Sequence, residues 1–259
     1  MNLGSVFVAV LQRDWAMMKR YIVNTVSSLV SIYIIFLLIF LGFKSLSGYA
    51  ATGALEGTME GTVIGFFVWT FTVMAFSDLA WNLVIEAQAG TLEQLYLTPS
   101  GFKWVSGCTL LSSLTLNFIP IVVLLVTMMA TTGQWLNLDF ISLIPLLLVT
   151  VLGAYGVGFA LGGLALIFKR IQAIFQIFQF VFVGFLVIPQ RVPWAKLLPL
   201  SMGNSLIYDV MVDGTRLWEL PIGSILTALI VGAAYLAIGV TIFSVCENIA
   251  KERGLLGHY

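Results

Sequence analysis

Apolar residues follow one another along this chain in long stretches that are separated by short polar or charged breaks. A helix needs about 20 mainly apolar residues, with a range of roughly 17 to 25, to cross the hydrocarbon core of a bilayer. The pattern therefore predicts six membrane-spanning helices. They fall at 22–43, 61–81, 105–130, 141–168, 171–188 and 221–245.

The composition supports an all-α polytopic membrane protein with a single transmembrane domain over residues 1–259. Hydrophobic residues make up 60% of the chain and charged residues 9%, and the mean hydropathy is +1.04. Soluble domains are far more polar. The 12 basic and 12 acidic residues cancel, which argues against nucleic acid as a partner.

The basic residues between the predicted spans give the orientation. With the N-terminus in the cytoplasm, eight of them lie on the inner side and four on the outer side. Loops rich in Lys and Arg stay in the cytoplasm. We therefore predict a multi-pass protein of the cell (plasma) membrane with both termini cytoplasmic.

Two segments outside the spans are also amphipathic. Residues 1–20 carry apolar side chains at helical spacing and predict an interfacial helix, although an unimportant tail is the alternative interpretation. Residues 189–220 are too apolar for an ordinary loop and are broken by prolines, which predicts a re-entrant outer segment. Within it, a short amphipathic helix would present Leu206, Ile207, Val210 and Met211.

The segment 86–100, which the predicted orientation places in the cytoplasm between the second and third spans, contains a predicted short capped helix from Thr91 to Pro99. Thr91 and Gln94 form a capping box, Gly90 precedes it, and Thr98-Pro99 ends it. Leu92, Leu95 and Tyr96 share one face. So short a helix is not stable alone in water, so it must dock on a partner or on a membrane surface.

These features together resemble the ABC-2 type permeases, which are the membrane subunits of drug-resistance, nodulation-factor and polysaccharide exporters. The most specific stretch is Glu86 to Pro99, Glu-Ala-Gln-Ala-Gly-Thr-Leu-Glu-Gln-Leu-Tyr-Leu-Thr-Pro, and Leu198-Pro199-Leu200 is a weaker match. Many relatives have an arginine soon after the position of Glu86, where this chain has Ala87 and Gln88.

The resemblance implies a permease subunit that moves a hydrophobic or amphipathic substrate, such as a drug, lipid or glycan-lipid, outward by alternating access. It also implies a separate ABC ATPase subunit, which would bind ATP and Mg, and a second permease copy. The chain has no G-x-x-x-x-G-K-[ST], so it does not supply a P-loop phosphate site itself and is not expected to be an enzyme or to bind a cofactor. The implied contacts with the ATPase are Glu86, Gly90, Thr91, Leu92, Glu93, Leu95 and Tyr96.

The second and fifth spans hold the candidate substrate path. Three amides on one side of the fifth span are costly against lipid, and aromatic side chains accompany them. One interpretation is a path for an amphiphilic substrate, as in relatives; the other is that the amides join helices and the rings face lipid. The candidate residues are Phe67, Phe71, Gln172, Phe175, Gln176 and Gln179.

Three further observations concern packing and the alternatives. Ala154, Gly158 and Gly162 repeat every four residues and predict close helix packing in the fourth span. Asp78 is the one intramembrane charge that the pattern indicates, which disfavours an ion-coupled carrier. A non-transporting membrane scaffold remains the main alternative, and no metal or catalytic constellation is evident in the sequence.

Overall fold

The computed structural model describes residues 3–47, 59–88, 102–168, 172–187 and 193–252, and every regular element among them is helical. Most helices coincide with the apolar stretches of the sequence. They are α1 (Leu3–Arg20), α2 (Ile22–Ser47), α3 (Met59–Gln88), α4 (Phe102–Thr132), α5 (Phe140–Ile167), α6 (Gln172–Val187), a 3₁₀ helix (Pro193–Leu197), α7 (Ser201–Met211) and α8 (Ile222–Glu252).

Five of these helices, α2 to α5 and α8, are long and apolar enough to cross a membrane. The chain is therefore membrane-embedded and polytopic. The fifth predicted span corresponds to α6, which has 16 described residues and is shorter than the other five. The number six stays a prediction.

The most extensive helix contact joins α5 and α8. Gly232 lies beside Val149 and Leu152, and further along α8 Phe243 lies beside Gly163. Because residue numbers rise together along both helices, α5 and α8 run parallel. The backbones approach closely at glycines: a Cβ on Gly156 would overlap the carbonyl of Tyr235.

The predicted repeat of small residues in α5 begins with a residue that packs away from α8. Ala154, Gly158 and Gly162 are all buried, and Ala154 packs in a cluster with Phe76 of α3 and Phe175 of α6. The closest approach to α8 uses Gly156 and Gly163 instead. Small residues of α5 therefore lie on two faces of the helix, one toward α8 and one toward α3 and α6.

The helix α3 occupies the centre of the bundle, because it contacts α2, α4, α5, α6 and α7. Its aromatic side chains Phe67 and Phe71 enter a large apolar cluster with Met128 of α4 and Leu143 of α5. In contrast, most of α2 is exposed. The helices α2 and α6 therefore lie at the edge of the bundle.

The segment from the 3₁₀ helix to α7 packs on α5 and α8. The predicted face of α7 (Leu206, Ile207, Val210 and Met211) is buried in protein, chiefly in the central cluster. Leu200, just before α7, has a φ of 75°, a left-handed backbone conformation that is strained for a residue with a side chain. The Leu200 side chain is buried in a cluster with Phe76 of α3 and Phe175 of α6.

Hydrogen bonds tie the loop before α5 to the end of α7. The backbone N–H of Asn137 donates to the carbonyl of Met211 at 2.8 Å. Asp139 caps α5 and accepts from the Ser142 hydroxyl at 2.6 Å, and Ser142 Oγ accepts from the Leu217 N–H at 2.9 Å. These bonds fasten the start of α5 and the loop before it to the end of α7 and to the segment that follows α7.

The N-terminal helix α1 lies against α4. Val10 packs on Cys108, and one turn further on the Ser112 hydroxyl donates to Asp14 at 2.7 Å. The opposite side of α1 is exposed and carries Lys19 and Arg20. The amphipathic pattern predicted for residues 1–20 is thus present, with its apolar side on a protein surface.

Candidate functional site

The segment predicted to contact an ATPase lies at the joint between α3 and α4. The 30 residues of α3 extend about 45 Å at 1.5 Å per residue, longer than the hydrocarbon core of about 30 Å. Glu86 is in the last turn of α3, and its side chain lies outside the described residues, as does the whole segment 89–101. The coupling residues there are Gly90, Thr91, Leu92, Glu93, Leu95 and Tyr96.

A polar clamp joins α3 to α6, and we define it as Trp69, Ser77 and Gln179. The indole N–H of Trp69 donates to the backbone carbonyl of Gln179 at 3.0 Å. The side-chain amide of Gln179 donates to the Ser77 hydroxyl at 3.1 Å. Inside a membrane such interhelical hydrogen bonds are typically worth about 0.6 to 2 kcal/mol each.

Aromatic rings surround the clamp. Phe76 of α3 makes edge-to-face contacts with Phe175 and Phe182 of α6, with ring centroids 6.0 and 5.3 Å apart. Such arrangements suit the ring quadrupoles. The contacts described between α3 and α6 are therefore made by aromatic and polar side chains, one of which bonds a backbone carbonyl.

The structure divides the six predicted path residues among different environments. Phe67 and Phe71 are buried in the central cluster, and Phe175 is buried against Phe76. Gln179 belongs to the clamp, whereas Gln176 is exposed on the outer face of α6. The backbone of Gln172 begins α6, and its side chain lies outside the described residues.

Gln176 differs from the other exposed polar residues of the spans. Several hydroxyls on α2, α4 and α8 donate to carbonyls four residues earlier, such as Ser31 to Ser27 and Thr127 to Val123. The amide of Gln176 has no such local acceptor and makes no hydrogen bond within the described residues. An exposed amide on an apolar helix is costly where it faces lipid.

Two buried hydroxyls of α3 were not identified by sequence reasoning. Thr70 and Thr72 are 2% and 0% exposed, and neither hydroxyl oxygen has a hydrogen-bond partner in the part of the chain that the structure describes. Both flank Phe71 on the helix that carries the clamp. The signal was the Trp-Thr-Phe-Thr sequence at 69–72, in which polar residues interrupt an aromatic run.

A buried carboxylate was also missed. Glu247 is 8% exposed and follows Cys246, whose Cβ lies near Gly163. The sequence pattern ended the last span at 245, but the apolar helix continues to Ala250. Asp78, which the sequence indicated instead, has a side chain outside the described residues.

Neither a metal site nor a disulfide is present among the described residues. No group of three or more His, Cys, Asp or Glu side chains there is placed to hold a metal ion. Cys108 and Cys246 are both buried free thiols.

No protein-family model matches this chain, and no curated protein sequence does either.

Proposed function

We propose that this chain is the permease subunit of an ATP-driven exporter of the ABC-2 type. The observation that supports the proposal is the length of two neighbouring helices, α3 and α4. These two helices, of 30 and 31 residues, pack on each other and flank the capped segment 86–100. Both exceed the membrane thickness, which gives that segment a rigid support outside the lipid.

The direction of the helices supports six crossings. Because α5 and α8 run parallel, the chain must return to its starting side between them. The helix α6 is the one long helix in the described part of 168–221. Counting α6 as a crossing gives six alternating spans and puts both termini on one side, in agreement with the charge pattern.

We propose that the substrate path runs along α3 and α6. Thr70 and Thr72 offer buried hydroxyls, and Gln176 offers an exposed amide, next to aromatic rings that suit an amphipathic molecule. The clamp can open through rotation of the Trp69 and Gln179 side chains, which make its two hydrogen bonds.

We propose that a second copy of the chain packs against α2 and α6 at the edge of the bundle. The helices α2 and α6 are attached on one side only, and α2 is the least buried of the long helices. Gln176 lies at this edge, where its amide would be costly against lipid. A homodimer would supply a polar partner for it and would enclose a path between the copies.

The test is coupling to an ATPase. The chain is co-expressed with a candidate P-loop ATPase, purified and reconstituted, and ATP hydrolysis and substrate export are measured. The double variant Leu92→Asp with Glu93→Lys should retain the fold and lose transport, because it disrupts the apolar and acidic faces of the capped helix. Charge reversal at exposed Asp213 is the matched control and should leave transport unchanged.

Full transport by the double variant would overturn the coupling assignment. An ATPase that binds the chain but shows no substrate stimulation would favour the scaffold instead.

One observation favours a second candidate, an ion-coupled carrier: the buried carboxylate of Glu247 in α8. Buried carboxylates within spans are typical of ion pathways. This candidate requires that Glu247→Gln abolish transport and that collapse of the ion gradient stop it while ATP depletion does not. The exporter predicts the reverse response to the two treatments.

A further inference from the structure

Two exposed tryptophans stand at the end of the bundle where α5 and α8 begin. Trp135, in the loop between α4 and α5, is 75% exposed, and Trp218, in the segment before α8, is 64% exposed. The Leu217 N–H donates to the Ser142 hydroxyl in the first turn of α5 at 2.9 Å. Trp218 therefore lies beside the start of the helix that follows Trp135, and the two indoles share one level of the bundle.

An exposed aromatic ring with a cation over it is present at both ends of the bundle. At the end just described, Arg216 lies over the Trp218 ring at 5.4 Å. On α1, Lys19 lies over the ring of the exposed Trp15 at 4.9 Å. Trp and Tyr rings, with Lys and Arg as further anchors, are typical of the two boundaries between the hydrocarbon core and the head groups.

The distance between these two sets of rings can be measured along α4. Asp14, next to Trp15 on α1, accepts from the Ser112 hydroxyl of α4 at 2.7 Å, and α4 ends at Thr132, shortly before Trp135. From Ser112 to Thr132 the helix rises about 30 Å at 1.5 Å per residue. The hydrocarbon core of a bilayer is about 30 Å thick. The two sets of rings are therefore spaced like the two boundaries of one bilayer.

The helix α2 gives the same thickness independently. Tyr21 is 53% exposed, has Arg20 over its ring at 5.9 Å, and directly precedes the apolar span Ile22–Gly42 of 21 residues. This span extends about 31 Å, and Lys44 follows it. The core thus begins on α2 and on α4 where each meets α1, as expected for a helix that lies in the interface.

Hydropathy alone gives a longer span for α4. The apolar stretch Gly107–Thr132 has 26 residues and extends about 39 Å, which is more than the core requires. Part of this excess is covered by protein, because Cys108 is buried against Val10 of α1. The ring spacing therefore places residues 102–111 beyond the core, on the side of the segment 86–100.

We propose that Trp135 and Trp218 anchor one end of the bundle in a head-group interface, and that α1, with Trp15 and Tyr21, lies in the opposite interface. The hydrocarbon core then covers α4 from about residue 112 to residue 132. The partner of both surfaces is the boundary between lipid and water. This inference goes beyond the proposed function, because it holds for either orientation of the chain and for any partner of the segment 86–100.

The exposed side of α4 offers label positions for a depth measurement. Thr115, Ile119, Val123 and Ala130 are all exposed. Each is changed singly to Cys in the full-length chain, spin-labelled and reconstituted in vesicles of palmitoyl-oleoyl phosphatidylcholine. Depth is obtained by electron paramagnetic resonance from the ratio of collisions with oxygen and with a water-soluble nickel chelate.

The background for these labels carries Cys108→Ala and Cys246→Ala. If that background does not give monodisperse protein, the labels are placed in the wild-type chain, whose two thiols are both buried.

We expect Val123→Cys to be the deepest label, because the proposed core is centred near this residue. Thr115→Cys and Ala130→Cys should lie at equal depth on its two sides. The hydropathy span is centred near Ile119 instead and would make Thr115→Cys deeper than Ala130→Cys by about 9 Å. That difference, with Ile119→Cys deepest, would overturn the placement.

The anchoring role of the tryptophans is tested with the same labels. In Trp135→Leu with Trp218→Leu, the Ala130→Cys label should sink by about 3 Å, because leucine favours the core over the interface. The matched control is Trp194→Leu. Trp194 is 55% exposed, but its 3₁₀ helix leads to Pro199, which lies against Gly153 in the middle of α5, so no shift is expected.

An unchanged depth in the double variant, or an equal shift in Trp194→Leu, would overturn the anchoring role. The single changes Trp135→Leu and Trp218→Leu, each with a smaller expected shift, replace the double variant if it does not fold.

Discussion

The contacts α5–α8 and α3–α6 hold helices together in opposite ways. Between α5 and α8, glycines let the two backbones touch, and the contact continues along both helices. Between α3 and α6, the described contact is made by rings and by the polar clamp of Trp69, Ser77 and Gln179. Backbone contact can relax only by moving a whole helix, whereas side chains can change rotamer. We therefore expect the first contact to resist rearrangement more than the second.

The largest effect should follow from filling the backbone contact. Gly156→Leu puts a side chain where the Tyr235 carbonyl lies, and overpacking of this kind costs about 1 to 3 kcal/mol or more. We expect loss of monodisperse protein in size-exclusion chromatography. Gly223→Leu, at an open position near the start of α8, should behave as wild type. A Gly156→Leu protein of normal stability would contradict this expectation.

A smaller effect of the same kind is expected where α7 meets α5. A Cβ on Gly203 would overlap the side chain of Thr150, whose hydroxyl donates to the Leu146 carbonyl at 2.7 Å. Gly203→Ala should lower the thermal midpoint by several degrees, corresponding to about 1 to 3 kcal/mol. Adding Thr150→Ala should restore part of the loss. Strict additivity of the two changes would contradict direct contact.

The clamp should contribute less than either close contact. Gln179→Leu removes the amide that donates to Ser77 and should cost about 0.6 to 2 kcal/mol in thermal unfolding. The matched change Gln176→Leu, on the exposed side of α6, should leave monomer stability unchanged and reduce transport or dimerisation. Equal losses of stability in the two variants would show that the two amides act alike. The assignment of Gln179 to the clamp and of Gln176 to the substrate path would then be wrong.

The smallest expected effect is on the pH dependence of stability. It involves Asp209 of α7, a helix that contacts α5 and α8 as well as α3 and α6. Partial burial, and then the nearby Asp213 carboxylate, raise the pKa of Asp209 above its ordinary value. A raised folded-state pKa means that ionisation of Asp209 disfavours the folded state, so stability is lost as the pH rises from the ordinary carboxyl pKa to the raised one. Asp209→Asn should flatten that part of the stability–pH curve. An unchanged slope would exclude Asp209 as its source.

Sequence reasoning located most helices and missed specific pairings. The apolar stretches predicted every long helix of the described structure, and the four residues assigned to the inner face of α7 are buried. It indicated Ala154, Gly158 and Gly162 as the packing stripe of α5, whereas Gly156 and Gly163 make the closest contact. Spacing identifies a small-residue face but does not say which neighbour it meets.

The candidate site shows the same division. The glutamines of α6 were recognised as costly in lipid, and two interpretations stayed open for them. The structure gives Gln179 a helix-joining role through Ser77 and leaves Gln176 exposed. Thr70, Thr72 and Glu247 were missed, because burial of a single polar residue depends on which helix covers it.

The sequence by itself determined that the chain is a helical membrane protein with amphipathic segments at its start and before its last long helix. Hydropathy and helical spacing are local properties, and lipid leaves few alternatives to a helix. Only the tertiary structure decided that α5 and α8 run parallel in backbone contact, that α3 and α6 meet through a clamp, and that α1 packs on α4. Each of these depends on side chains distant in sequence, whose packing energies no local pattern contains.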